Sequence, residues 1–114
     1  MRLRLKITGL VLTGLFGIFT PGTVWAADPP EIALNFFGDR YEPVEVPVPA
    51  GVKFVLRIVN KSTVSTEWES KELHREKVVP AGKEGTLFIG PLKAGSYEFF
   101  DDFHPKVRGK LVAR

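Results

Sequence analysis

Cysteine is absent from all 114 residues. No disulfide can staple the fold, and no thiol can act as a nucleophile. Glycine-rich phosphate loops and the serine elbow of hydrolases are also missing, so nothing announces nucleotide binding or serine hydrolysis. Histidine is scarce, with His74 and His104 the two in the chain. There is no internal repeat and no low-complexity tract. The apolar run at residues 7–19, which carries no charge, is 13 residues long. That is short of the roughly 20 a membrane-spanning helix needs.

What is present at the start of the chain reads as a targeting segment. Arg2, Arg4 and Lys6 precede the apolar run, and Thr20-Pro21-Gly22 breaks it. Val24-Trp25-Ala26 then offers residues a signal peptidase tolerates. Residues 1–26 are therefore expected to be a cleaved signal peptide, leaving residues 27–114 as one domain. Charge changes with that removal. Three of the 16 basic residues lie in the segment and none of the 13 acidic ones, so the remainder is balanced at 13 of each. No broad field is left to steer the domain to nucleic acid or to an anionic membrane. With no disulfide, the domain must hold itself by packing.

The rest of the sequence reads as short strands between turns. Residues 31–37 alternate Ile32, Leu34 and Phe36 against Ala33 and Asn35, the pattern of a half-buried strand. Residues 44–48 alternate likewise, and Pro47, lacking a backbone donor, marks an edge strand. Pro49-Ala50-Gly51, Pro80-Ala81-Gly82 and Lys93-Ala94-Gly95 are turns. Residues 52–60 form the longest strand candidate, with Val52, Phe54, Leu56 and Ile58 on one face. Residues 66–70, 86–89, 96–100 and 109–113 are further strands. Residues 71–77 are charged and read either as a helical turn or as a solvated connection. Seven or eight short strands at regular spacing predict an all-β Greek-key β-sandwich or barrel. Leu92-Lys93-Ala94-Gly95-Ser96-Tyr97 has the form of a tyrosine corner, in which the hydroxyl bonds back to upstream backbone.

Few residues could carry chemistry. His104 lies in Phe99-Phe100-Asp101-Asp102-Phe103-His104-Pro105, between the last two strand candidates. Imidazole with nearby carboxylates is a metal-ligand set. The local sequence alone favours a surface histidine capping a turn before Pro105. His74 is flanked by charges and reads as solvated. Glu67 and Glu69 flank Trp68, so on a strand the glutamates share one face and Trp68 takes the other, toward the core.

Taken together, these pieces resemble the cupredoxin-like domains of periplasmic proteins, especially those linked to bacterial iron-uptake permeases. The resemblance covers most of residues 31–113. It rests on Arg40-Tyr41-Glu42-Pro43, Val48-Pro49-Ala50-Gly51, Trp68-Glu69-Ser70 with Leu73, Arg75-Glu76-Lys77, Gly90-Pro91-Leu92, Gly95-Ser96-Tyr97 and Phe103-His104-Pro105, in order and spacing. Blue-copper relatives join their last two strands by a loop carrying Cys, His and Met. Laid on that frame, His104 falls on the loop histidine and Asp101 on the cysteine. The methionine has no counterpart, Val107 being nearest. Glu67 and Glu69 occupy the region of the family's first histidine.

The resemblance implies a periplasmic protein with a metal site formed by His104, Glu67, Glu69, Asp101 and Asp102. Without thiolate, such a site gives no strong blue absorption and favours Cu(II) or Fe(III) over Cu(I). Copper and iron are the implied cofactors, and support of high-affinity iron uptake or iron oxidation is the implied role. Ferroxidase activity is left open; a binding protein is the first expectation. The alternative is a metal-free sandwich that contacts an iron permease or another periplasmic subunit. The site could also be completed across a homodimer.

Overall fold

Alternation along each strand decides which side chains enter the core. The computed structural model describes residues 28–114, all of it strand, turn or loop; the expected signal peptide lies outside the described residues. Nine strands follow in order: β1 Glu31–Phe36, β2 Tyr41–Glu42, β3 Glu45–Val48, β4 Phe54–Asn60, β5 Thr66–Ser70, β6 Arg75–Val79, β7 Glu84–Ile89, β8 Gly95–Asp101 and β9 His104–Ala113. They form a four-stranded sheet in the order β2-β1-β4-β7 and a five-stranded sheet in the order β3-β9-β8-β5-β6. The two pack as a β-sandwich. Pro47 lies on an edge, as its missing donor requires: β3 is outermost and pairs only with β9.

In β4, Phe54, Leu56 and Ile58 are fully buried, with Val55, Arg57 and Val59 on the other face. Leu34 pairs with Ile58, and Leu56 with Leu87, so neighbouring strands present apolar residues to the same layer. Packing takes the place of a disulfide. A run of aromatic rings crosses between the sheets: Phe36 to Tyr41 at 5.1 Å, Tyr41 to Phe99 at 5.3 Å edge-on, and Phe99 to Trp68 at 5.5 Å. Such pairs contribute beyond simple burial. Gly109 is required beside this cluster. A Cβ there would stand 2.6 Å from the Phe99 ring and 2.7 Å from the Val44 carbonyl.

Polar ties fix the connections. The Tyr97 hydroxyl donates to the Lys93 carbonyl at 2.7 Å, closing the expected tyrosine corner where the chain crosses from β7 to β8. Asn60 is almost wholly buried. Its amide donates to the carbonyls of Val64 and Val79 at 2.8 and 2.9 Å and accepts from the Ser62 N–H and hydroxyl. The Arg75 guanidinium donates to the Phe88 carbonyl, joining β6 to β7 at the open side of the sandwich.

Four readings need correction. The long strand begins at Phe54, not Val52, which is exposed in the turn. The charged stretch is a turn at residues 71–74 followed by the strand β6, which pairs with β5 at the edge of the five-stranded sheet. Finally, β8 extends to Asp101 and β9 starts at His104, so the expected loop is a two-residue turn. With the short β2, the strands number nine rather than seven or eight.

Candidate metal centre

The turn between β8 and β9 brings Asp101 and His104 opposite each other. Pairing shifts register between Phe100 and Asp101: Phe100 faces Arg108, and Asp101 faces His104. The slip turns Asp101 inward at the end of the sandwich, where it is fully buried. A buried carboxylate is costly unless its oxygens are satisfied. Here Oδ1 accepts the backbone N–H of Glu67 at 2.9 Å and that of Phe103 at 3.1 Å. Oδ2 meets His104 Nδ1 at 2.9 Å. The Asp102 N–H, in return, donates to the Glu67 carbonyl at 2.8 Å. One carboxylate thus ties the turn to β5 and aims the imidazole.

His104 is half exposed. In the neutral imidazole, a carboxylate acceptor selects the tautomer with its proton on Nδ1, which leaves the lone pair on Nε2. Nε2 has no hydrogen-bond partner among the described residues. A histidine with one nitrogen fixed on a carboxylate and the other open is how ligating imidazoles are held and made more basic. Tyr41 lies behind this group. Its hydroxyl shares a 2.6 Å hydrogen bond with Thr66. Burial pushes the phenol far above its ordinary range, the Thr66 bond opposes this, and the charge on Asp101 adds to it. Tyr41 therefore stays protonated at neutral pH and packs.

The glutamates form a separate group. Trp68 enters the core, and Glu67 and Glu69 point to the outer face. Glu69 stands opposite Glu76 of β6. Carboxylate oxygens of Glu67, Glu69 and Glu76 lie within 4.8 Å of one another. The Glu67 carboxyl is raised above the usual range, first by desolvation and then by the charges of Glu76, Asp102 and Glu69, with a hydrogen bond to Glu76.

The five residues expected to form one site are thus divided. Asp101 and His104 meet at the turn. Glu67 and Glu69 meet on the outer face, and Asp102 reaches them through its charge. Among the described residues, no group of three closely spaced donors includes His104. Glu76 was missed because its stretch read as a solvated connection. A hairpin centred on residues 71–74 would have set it opposite Glu69. His74, also read as solvated, is exposed in that turn with φ 55°.

A thiolate copper centre does not fit these residues. There is no cysteine, and the carboxylate in its expected place is committed to three donors. A borderline ion such as Cu(II) fits the open Nε2.

The comparisons with known proteins agree on the fold. The Cupredoxin-like domain family matches residues 9–113. An uncharacterised protein of Rickettsia prowazekii (strain Madrid E) is 38% identical over 74 residues, which are 65% of this chain and 59% of that one. The chain therefore spans under two thirds of that relative's length. Among solved structures, the metal-binding domain of the Cu(I)-exporting P-type ATPase CopA of Streptococcus pneumoniae D39, with Cu(I), superposes with a TM-score of 0.66. It is 14% identical, covering 74% of this chain and 84% of that one. Amicyanin from Paracoccus versutus gives a TM-score of 0.60 at 22% identity, covering 79% and 85%. At these identities the likeness is one of fold. With the family matched along nearly the whole sequence and the two-sheet sandwich in place, this chain belongs to the cupredoxin-like domain family.

Proposed function

We propose that this protein is an exported, metal-binding accessory that holds copper, in the Cu(II) state, at the β8–β9 turn, in support of iron uptake or iron oxidation. The observation that carries the reading is the His104 imidazole, fixed through Nδ1 on the buried Asp101 and open at Nε2. His104 is the ligand. Asp101 is the positioning residue: it orients the ring, sets the tautomer and makes Nε2 a better donor. Glu67, Glu69, Glu76 and Asp102 place negative charge beside the turn, which favours a cation. Bound copper would supply a one-electron acceptor. A neighbour in the fold holds copper, as Cu(I), which supports copper as the element. The iron setting rests on the resemblance to domains linked with iron permeases, as does the periplasmic location. Iron(III), a harder ion, would go to the glutamates in preference to the imidazole.

A second reading is favoured by the same turn. Asp101 has all its bonds within the chain, so the turn is closed with no ion. On that reading the protein is a metal-free module docking on a permease or another exported subunit. Equilibrium dialysis of the untagged protein against Cu(II) and Fe(III), with His104→Ala in parallel, separates the two. Saturable copper binding lost in the variant supports the metal reading. A folded protein that retains no metal leaves the docking module.

A further inference from the structure

We infer that the copper-loaded protein is a symmetric dimer in which the His104 imidazoles of two copies share one ion. The inference rests on the metal reading above and adds the partner. One copy offers an incomplete site. His104 Nε2 is its one open nitrogen at the turn, Asp101 is committed to three donors, and no close group of three donors includes His104 among the described residues. A single exposed imidazole holds a metal ion weakly; a second makes the two bonds cooperate through effective concentration.

The surface around the ring suits contact with its own copy. Phe103, 49% exposed, Pro105 and Lys106 line a shallow depression of about 360 Å³ with His104. Phe103 is held out in the turn while its N–H is anchored on Asp101. A two-fold contact places the same patch on both sides. Lys106 is exposed in the depression and Asp102 beside it, with the Glu67, Glu69 and Glu76 carboxylates near the same turn, so the negative charge that two copies bring together is offset by the cation they share. Large exposed aromatics beside such a site are the side chains that gain most from association.

The test is the mass of the untagged protein in solution, by sedimentation or light scattering, with and without Cu(II), alongside the copper content of each species. The expected result is a doubling of mass at one copper per two chains, with both effects lost in His104→Ala. Phe103→Ser, which alters an exposed side chain and keeps the backbone N–H, is expected to weaken the dimer about tenfold or more, and copper affinity with it, because the two are linked. Copper bound one-to-one in a monomer overturns the inference and leaves the metal reading standing. Absence of copper binding overturns both. A dimer of the same strength in His104→Ala overturns the shared site.

Discussion

Replacing Asp101 separates what its carboxylate does for the fold from what it does for His104. Asp101→Ala leaves two backbone N–H groups and the Nδ1 proton without their acceptor. The ring is half exposed and Phe103 lies in an exposed turn, so water replaces those two bonds at little cost. The Glu67 N–H faces the buried carboxylate, and orphaning it costs about 1–3 kcal/mol. With the small cavity added, the loss should come to about 2–4 kcal/mol against a total of roughly 5–10 kcal/mol for a domain of this size. Urea unfolding followed by the fluorescence of Trp68, fully buried in the core, reads this directly. Asp101→Asn is the informative companion. Its carbonyl still accepts both backbone N–H groups, so the stability loss should be about 1 kcal/mol. Its NH₂ now donates to Nδ1, which moves the ring proton to Nε2 and removes the lone pair from the open side. Copper affinity should fall by about 10- to 100-fold, while nitrogen NMR shows the tautomer reversed. The reasoning fails if the alanine variant unfolds at the wild-type urea concentration. It fails equally if the asparagine variant reverses the tautomer and binds copper as before.

Other consequences follow from the packing and charge. Gly109→Ala forces a methyl group against the Phe99 ring and the fixed Val44 carbonyl, and should cost about 1–3 kcal/mol in the same unfolding assay. Tyr97→Phe removes the bond to the Lys93 carbonyl at the crossover and should cost about 0.5–1.5 kcal/mol, with no change in copper affinity. Glu67 holds its proton more tightly in the folded protein than in the unfolded chain. Its contribution therefore favours the fold at acid pH and is lost as pH rises through its raised pKa. Glu67→Gln removes this dependence. The difference in melting temperature between variant and wild type should shift in the variant's favour from pH 4 to pH 7, and a constant difference would contradict the assignment.

Much of the fold was legible because it is written in local alternation. The buried face of β4, the edge position of Pro47 and the tyrosine corner at Tyr97 each follow from residues close in sequence. What stayed hidden depends on pairing across the chain. β6 carries Arg75, Glu76 and Lys77, and only its pairing with β5 sets Glu76 beside Glu69 on the outer face. The direct pairing of Asp101 with His104 needs a register slip that composition does not announce. Both residues could be named from the sequence, but not the hydrogen bond that joins them. A sequence also lists Glu67 and Glu69 beside His104 as one set; the strand directions divide them, and β6 adds Glu76.

The most direct test is the electron paramagnetic resonance spectrum of the Cu(II)-loaded protein, compared with that of His104→Ala. The account predicts nitrogen splitting from imidazole in the wild type and its loss in the variant. An all-oxygen spectrum, the same in both proteins, would place the ion on the glutamates of the outer face and contradict the assignment of His104.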